Sequence, residues 1–157
     1  MGIYRFEEAN NFSENDLESF KQILLSAEQV REETFPALIQ RNPRVVLVYE
    51  NTIVAIGALK IPNEDYKKGV FKKAQSKEDP NSYKFELGWV VSLAKGNGKL
   101  VVKILADVNE NLYATTRADN HKMISILKRN GFQQTGMPYK SERDDYQLVL
   151  LIKIAIE

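Results

Sequence analysis

The stretch ATTRADNHKMISILKRNGF, residues 114–132, predicts the end of a strand, a polar turn and a helix in immediate succession. Asp119 or Asn120 can cap this helix, because short polar side chains accept hydrogen bonds from the first helical N–H groups. Gly131 marks the helix end, since glycine readily adopts the left-handed conformation found there. Helical spacing places on one face Met123, Ile124 and Leu127. The stretch therefore predicts a strand over residues 112–116 followed closely by an amphipathic helix.

A second strand and helix precede that stretch and are joined by a glycine turn. Residues 83–92, which include ELGWVV at 86–91, alternate in polarity as a central strand does. The turn AKGNGK at 94–99 leads into a helix with an apolar face. Its two glycines suit either a tight connection or a phosphate-binding turn, in which backbone N–H groups and a helix N-terminus meet an anion. The turn is too short for a nucleoside triphosphatase loop and lacks the third glycine of a dinucleotide site.

The rest of the chain predicts two further helices, a hairpin and two final strands around an inserted segment. Ser13 is the expected cap of the first helix, which reaches about Val30. The other expected elements are a strand at 3–6, a short helix around Phe35, Leu38 and Ile39, a hairpin at 44–49 and 52–60, and strands at 132–135 and 146–154 joined by a polar loop containing Pro138. Without a repeat or linker, the pattern predicts one mixed α/β domain.

Residues 63–80 form the inserted segment, in which Asn63 can cap a helix. The expected apolar stripe of this helix consists of Tyr66, Val70 and Ala74. The other faces carry Lys67, Lys68, Lys72, Lys73 and Lys77, and acidic neighbours balance most of their charge. The pattern predicts a solvated helix, and its lysines also motivate a weaker hypothesis of an RNA-directed role.

The composition restricts the chemistry open to the chain. Its 157 residues are 43% hydrophobic and 27% charged, which is enough apolar material for one buried core. Lys and Arg number 22 against 21 Asp and Glu, so the formal charge of +1 provides no global field for nucleic acid or acidic lipid. The sequence has no cysteine and one histidine, His121, which excludes thiolate chemistry and leads us to expect no metal site.

The sequence also predicts a cytoplasmic protein. Residues 1–12 lack the basic and apolar regions of an export signal, and Phe6 stands where a myristoylation signal needs Ser or Thr. The most apolar stretch, residues 148–156, is interrupted by Lys153 and is far shorter than the roughly 20 residues that span a bilayer.

The stretches 86–91, 94–99 and 114–132 together resemble the GNAT superfamily of N-acetyltransferases. In that family a strand precedes a glycine-containing pyrophosphate turn, and a later strand leads through Asn into a helix that ends in Gly-Phe. The order and spacing match over roughly residues 44–135, and a subgroup of bacterial members is similar in ALKIPNEDYKKGVF, ELGWV, ATTRADN and GMPYKSERDDYQL. The resemblance implies a single α/β domain whose mixed, mostly antiparallel sheet splays into a V-shaped wedge flanked by helices.

The resemblance also implies a site for acetyl-CoA as the acyl donor. Main-chain groups of Val90 and Val91 would face the pantetheine arm of the donor. The glycine turn would hold the pyrophosphate through Lys95, Gly96, Asn97, Gly98 and Lys99. Asn120 matches the family's Asn beside the pantetheine arm, although a helix cap explains this residue equally well.

The pyrophosphate motif departs from the family pattern. If Gly96 and Gly98 close the motif, Leu93 occupies its Arg or Gln position. If Lys95 takes that position instead, Leu100 replaces the final small residue. Either alignment leaves one position of the family's pyrophosphate motif unmatched.

The family's usual proton donor is also replaced. Many members carry a Tyr in the helix before Gly-Phe that protonates the departing CoA thiolate, and Leu127 occupies that position here. The alternative acids are water, Tyr113, Tyr139 and Tyr146, although packing explains each tyrosine as well. General acid assistance contributes only about 10² to 10⁴-fold, so the expected activity is slow rather than absent.

Glu86 is the candidate general base, because many family members place a carboxylate near this strand position to take a proton from the substrate amine. A solvated strand residue, or a partner of Lys or Arg, explains Glu86 as well. His121 is interpreted as a surface residue, and Trp89 as a core residue rather than a substrate platform.

These observations predict an acetyl-CoA-dependent N-acetyltransferase that transfers the acetyl group directly to a primary amine of a small molecule or peptide. The alternative is a catalytically weak or silent acyl-CoA-binding regulatory module. The expected partners are acyl-CoA, an amine substrate and, by analogy with the family, a second copy of the chain. Nucleic acid and membranes are not expected partners.

Overall fold

The computed structural model describes residues 3–156, which form seven strands and five α-helices. The strands are β1 (Ile3–Glu8), β2 (Arg44–Glu50), β3 (Thr52–Lys60), β4 (Phe85–Ser92), β5 (Leu112–Arg117), β6 (Gln133–Lys140) and β7 (Gln147–Lys153). The helices are α1 (Glu14–Ser26), α2 (Phe35–Gln40), α3 (Glu64–Lys73), α4 (Asn97–Ala106) and α5 (His121–Arg129). The predicted order of strands and helices is confirmed.

The strands form one mixed sheet in the order β1-β2-β3-β4-β5-β7-β6. The pairs β1 with β2, β2 with β3, β5 with β7 and β6 with β7 are antiparallel. The pair β4 with β5 is parallel and joins Phe85 to Leu112 and Glu86 to Tyr113. This α/β architecture, with a mixed and mostly antiparallel sheet flanked by helices, confirms the predicted fold class. The opening of the sheet into a wedge stays a prediction.

The chain divides into two compact units. The first unit comprises the chain up to Ile61 together with Leu87–Leu105. The second unit comprises Pro62–Glu86 and the chain from Ala106 onward. Strand β4 begins in the second unit, with Phe85 and Glu86, and continues in the first from Leu87.

In the first unit, helices cover both faces of the β2-β3 hairpin. Helices α1 and α2 contribute Phe20 and Phe35 to a core that also contains Trp89, and the rings of Phe20 and Trp89 meet edge to face at 5.9 Å. Helix α4 packs on β3 at Gly57, where a Cβ atom would lie 2.4 Å from Cγ1 of Val101. The close approach of this helix to the strand therefore requires glycine at position 57.

Helix α1 confirms its predicted start but ends earlier than the sequence suggests. The Ser13 hydroxyl accepts a hydrogen bond from the Asp16 N–H at 3.1 Å, as expected of a cap. Glu28 adopts a positive φ of 56°, and the Gln29 N–H donates to the Leu24 carbonyl at 2.9 Å. This left-handed closure ends the helix at Ser26 rather than near Val30.

In the second unit, helix α3 is part of the core, which corrects the prediction of a solvated helix. Its buried residues are Lys67, Val70 and Phe71, followed by Ala74 just after the helix end. They follow the i, i+3, i+4, i+7 pattern of one helix face. Lys67 is only 2% exposed, and its ammonium donates to the Tyr83 carbonyl at 2.8 Å and to Glu64 at 3.3 Å. The buried stripe therefore passes through a lysine whose charge is satisfied locally.

Strand β6 also differs from its prediction. The sequence suggests a short strand at 132–135 and a polar loop, whereas β6 continues to Lys140 with a register shift between Thr135 and Tyr139. Gly136 lies in the shifted segment with a φ of 69°, and the next N–H, that of Met137, donates to the Ala74 carbonyl at 2.7 Å. The backbone after α3 thus replaces the strand partner that β6 lacks there.

Replacement of Gly136 by Ala should destabilise the protein on the order of 3 kcal/mol, because alanine is strained at positive φ. Its Cβ would also lie 2.1 Å from the Ala74 carbonyl oxygen. Gly69→Ala is the matched control, since nothing lies within 4 Å of its added Cβ within α3. That variant should gain about 0.5 to 1 kcal/mol from helix propensity. Urea unfolding measures both changes, and equal stabilities would contradict the close contact at Gly136.

Candidate active site

Glu86 is a buried carboxylate at the start of β4. It pairs in register with Tyr113 of β5 and is 4% exposed. The Tyr113 hydroxyl donates a hydrogen bond to Oε1 of Glu86 at 3.3 Å. The interpretation of Glu86 as a solvated strand residue is therefore wrong, whereas the predicted position in the strand is confirmed.

The strand register places further polar side chains on the same face of the sheet. Residues paired across neighbouring strands share a face, and so do alternate residues along one strand. Tyr113 therefore shares its face with Thr115, which pairs with Leu150 of β7. Two residues along β7, Leu148 pairs with Tyr139 of β6. Helix α3 packs on this face, because Val70 and Phe71 join the core cluster that contains both tyrosines.

Tyr139 carries a buried hydroxyl group with no hydrogen-bond partner within residues 3–156. Tyr139 as a whole is 8% exposed. Leaving such a group unsatisfied costs roughly 1 to 3 kcal/mol. Burial and then the charge of Glu86 raise the pKa of Tyr139 from its ordinary value of 10.0 to about 12.

Two other tyrosines are affected by the same carboxylate. Burial is the largest cause of the raised pKa of Tyr113, and the charge of Glu86 is the next. Burial and then the charge of Glu86 also raise the pKa of Tyr66 in α3, although the residue as a whole is 51% exposed. A hydrogen bond with Thr115 and the charge of Arg143 act on Tyr66 in the opposite direction. We call Glu86, Tyr66, Tyr113 and Tyr139 the Glu86 cluster.

The tyrosines of this cluster are poor acids for a leaving thiolate. A thiol has a pKa of about 8.5, so proton transfer to its thiolate from Tyr139, with a pKa of about 12, is strongly uphill. Tyr113 has a raised pKa for the same physical reasons. Tyr146 packs instead beneath the Arg117 guanidinium, whose carbon lies 4.4 Å from the ring centroid. Leu127, at the family's Tyr position, is 1% exposed and lies in the core.

Strand β4 contains a backbone feature that the sequence does not reveal. Trp89 has a positive φ of 55°, which is strained for a bulky residue and is typical of a bulged strand. Its ring is buried, as predicted, and the Lys60 ammonium lies 5.1 Å from the ring centroid. The peptide between Trp89 and Val90 is therefore turned out of the regular strand geometry. Val90 and Val91 follow it half-buried.

The glycine turn leads directly into α4, which begins at Asn97, within the segment 94–99 that the sequence assigned to the turn. Gly96 has a φ of 92°, which favours glycine. The Asn97 N–H donates a long hydrogen bond to the Ala94 carbonyl at 3.4 Å, so it is only partly available to a ligand. Gly98 and Lys99 lie in the first helical turn, where backbone N–H groups lack an intrahelical acceptor. A Cβ at Gly98 would meet only Cβ of Ser92, at 3.9 Å, so the protein itself does not require glycine there.

Asn120 and His121 occupy the start of α5. The Asn120 side-chain oxygen accepts a hydrogen bond from the Met123 N–H at 3.1 Å, which confirms the role of a helix cap. A contact of Asn120 with a pantetheine arm stays a prediction. His121 is exposed, which confirms its interpretation as a surface residue.

The structure thus brings Glu86 together with two of the three tyrosines considered as acids, and it adds Tyr66. The sequence placed Tyr66 on the apolar stripe of its helix, whereas the buried stripe passes through Lys67 and leaves Tyr66 at its edge. If the buried face of the helix had been assigned one residue later, with Lys67 in place of Tyr66, the sequence would have predicted Tyr66 at the edge of that face. Nothing in the sequence indicates the positive φ of Trp89.

No protein-family model matches the chain, and no curated protein matches it in sequence. Solved structures do match. An acyl-CoA N-acyltransferase from Pseudomonas aeruginosa has a TM-score of 0.68 and 11% identity, with 98% of this chain and 99% of that chain covered. A GNAT-family acetyltransferase from Bacillus cereus has a TM-score of 0.65 and 14% identity, with 99% and 100% covered. NAA60 of Arabidopsis thaliana in complex with acetyl-CoA has a TM-score of 0.64 and 13% identity, with 97% of each chain covered.

These likenesses extend over nearly the whole of each chain, and at 11–14% identity they establish the fold. The chain therefore has the fold of the GNAT N-acetyltransferases. Between residues 3 and 156, no helix has the length and apolar character needed to cross a membrane.

The raised pKa values in the Glu86 cluster predict that stability falls as the pH rises above about 10. A phenol with a raised folded-state pKa ionises first in the unfolded state, so its stabilisation is complete below about pH 10. It is lost as the pH approaches the folded-state pKa, about 12 for Tyr139. The free energy of unfolding, measured in urea between about pH 8 and about pH 11, should decline by up to roughly 1.4 kcal/mol per pH unit for each such tyrosine.

Glu86→Gln should flatten this decline, because the carboxylate charge is the second cause of the raised pKa values of Tyr113 and Tyr139. Glu50→Gln, at an exposed residue of β2, should leave the decline as it is in the wild type. Equal slopes for Glu86→Gln and the wild type would show that the charge of Glu86 does not reach these phenols.

Proposed function

We propose that this protein is an acetyl-CoA-dependent N-acetyltransferase that transfers an acetyl group directly to a primary amine of a small molecule or peptide. The proposal rests mainly on the segment that connects β4 to α4, in a fold that is shared with N-acetyltransferases. A left-handed turn at Gly96 leads into a helix with glycine at position 98, where the protein's own packing does not require it. The structure of NAA60 with acetyl-CoA supports the choice of donor.

The residues of the glycine turn fit an anionic group. The N–H groups of Gly98 and Lys99 point out of the first turn of α4, and a helix N-terminus attracts negative charge. The side chains of Lys95 and Lys99 are exposed and positive. The missing Cβ of Gly98 leaves room for phosphate oxygens to approach the backbone. We assign the pyrophosphate of the donor to this turn, and its pantetheine arm to Val90, Val91 and Asn120.

The positive φ of Trp89 in β4 supports a role for the Val90 N–H. A strand amide that is turned out of its regular geometry can donate to a ligand, as an oxyanion-stabilising group must. When bound, acetyl-CoA supplies an acyl group activated as a thioester. The Val90 N–H would donate to the acyl oxygen as negative charge develops there. The strain at Trp89, held by the packing of its ring, would fix this donor in advance.

Glu86 is assigned the role of general base. An ammonium must lose a proton before its nitrogen can attack, and a carboxylate can accept that proton directly or through water. The nitrogen would then bond to the acyl carbon and lose its second proton to water, while the carbon–sulfur bond breaks and the sulfur leaves as a thiolate that takes a proton from water. The Tyr113 hydroxyl, which donates to Glu86 at 3.3 Å, orients the carboxylate for this step.

A silent acyl-CoA-binding module is the second candidate function. Leu127 is buried at the usual acid position, and the pKa of Tyr139 is raised to about 12. A protein without an efficient acid could keep donor binding and lose turnover. The RNA-directed hypothesis is weakened, because two of the five lysines in the inserted segment, Lys67 and Lys73, are engaged with Glu64 and Glu142.

Gly98→Ala should separate donor binding from folding. The added methyl group meets only Ser92 and removes a helical glycine, so stability should stay the same or rise by up to about 1 kcal/mol. The same methyl group would stand between the backbone and a phosphate, so the dissociation constant for CoA should rise at least about tenfold, which corresponds to roughly 1.4 kcal/mol. Calorimetry with CoA measures this change. Lys103→Ala, on an exposed site of α4, is the control, and wild-type affinity in Gly98→Ala would remove the turn from the donor site.

Glu86→Gln should lower kcat/KM for a primary amine by about 10² to 10⁴-fold near neutral pH, because the amide cannot accept the ammonium proton. The affinity for CoA should be unchanged, and the loss should shrink at high pH, where the free amine is abundant. A thiol-release assay across pH measures both effects. Glu50→Gln serves as the surface control. Full turnover of Glu86→Gln at every pH would exclude Glu86 as the base, and donor binding without thiol release from any amine would favour the silent module.

A further inference from the structure

We infer that Tyr66 of the inserted helix, together with Tyr139 and Glu86, forms the acceptor site and selects the ammonium end of an aliphatic primary amine with a neutral chain. The inference rests on the proposed function and extends it from amines in general to one chemical class. An ω-aminoalkyl group, such as a lysine side chain with a neutral tail, belongs to this class.

The first argument is the way in which Tyr66 is held. Its own N–H donates to the Asn63 side chain at 3.1 Å, in the capped first turn of α3. Lys67, the next residue, is buried and donates to the Tyr83 carbonyl at 2.8 Å. Helix α3 is therefore fixed on the sheet one residue away from Tyr66. A residue anchored in this way can shape a binding site, because its backbone does not move when a ligand arrives.

The second argument is the contrast between an exposed and a buried tyrosine. Tyr66 is 51% exposed, whereas Tyr139 is 8% exposed. The Tyr139 hydroxyl has no hydrogen-bond partner in the part of the chain that is described. A buried polar group without a partner calls for a ligand or a water molecule. An ammonium group has three donors, and a phenol oxygen can accept one of them.

The third argument is charge. Glu86 is buried beside Tyr113, and both the carboxylate and the faces of tyrosine rings attract a cation. A carboxylate on the carbon next to the ammonium would be brought into the field of Glu86, so α-amino acids are disfavoured. Arg143 is exposed and its charge acts on Tyr66, so a second ammonium at the outer end of the site is also disfavoured. A single ammonium on a neutral aliphatic chain satisfies both conditions.

The test compares 1-aminopentane, Nα-acetyl-lysine amide, alanine and spermidine as acceptors in a thiol-release assay with acetyl-CoA. The first two compounds should have kcat/KM values at least about tenfold above those of alanine and spermidine. In Tyr66→Phe and Tyr139→Phe, KM for 1-aminopentane should rise about tenfold, as expected for one lost hydrogen bond to a charged group, with kcat and CoA affinity unchanged. Tyr4→Phe, on the exposed strand β1, is the control.

The thermal stability of Tyr139→Phe distinguishes a ligand contact from a structural role, because loss of a structural residue would lower the thermal midpoint. Tyr139→Phe removes a buried hydroxyl that has no hydrogen-bond partner among the described residues, so its thermal midpoint should equal or exceed that of the wild type. A variant that is as stable as the wild type but binds amine more weakly has lost a ligand contact. A lower thermal midpoint together with an unchanged KM would assign Tyr139 to the fold and overturn its part in the acceptor site.

Direct binding of 1-aminopentane, followed by ligand-observed NMR in the presence of CoA, separates this inference from the proposed function. Thiol release that is unchanged in both tyrosine variants, or a preference for alanine, overturns the inference and leaves the proposed function intact. Amine binding that the variants weaken, without thiol release in the wild type, supports the inference and contradicts the enzyme. The absence of both binding and thiol release overturns both.

Discussion

The buried charge of Glu86 is the constraint on which the second unit depends. A carboxylate removed from water is costly unless its surroundings supply hydrogen bonds or opposite charge. The Tyr113 hydroxyl supplies one hydrogen bond at 3.3 Å, and the parallel pairing of β4 with β5 holds the two residues in register. Helix α3 covers the same face of the sheet through Val70 and Phe71, so the apolar core and the polar cluster are built by the same packing.

In the first unit, the residues proposed to bind the donor act through backbone groups rather than through side chains. Regular strands and helices satisfy their own N–H groups, so a binding site made of main chain needs interruptions in both. Trp89 interrupts β4 with a positive φ, and Gly96 does the same in the turn before α4. Packing of the Trp89 ring against Phe20 stabilises the first interruption, whereas the second needs only the conformational freedom of glycine. The core residue Trp89 thus also determines the backbone conformation of β4 in the proposed donor site.

Local patterns predicted the elements well and failed where a partner distant in sequence decides the outcome. The order of strands and helices and the caps at Ser13 and Asn120 followed from neighbouring residues. Helix α3 was misjudged because a lysine was expected in solvent, whereas the Tyr83 carbonyl, distant in sequence, and Glu64 together satisfy the buried Lys67 ammonium. Strand β6 was cut short because its continuation depends on the backbone that follows α3.

The sequence by itself determined the order of strands and helices and the glycine turn before α4, since periodicity and residue type are local properties, whereas the family resemblance singled out Glu86 as the candidate base. Only the tertiary structure decided that Glu86 is buried and that the Tyr139 hydroxyl has no hydrogen-bond partner among residues 3–156. These facts depend on strand register and on the docking of α3. Both are set by contacts between residues far apart in the chain, which no local pattern encodes.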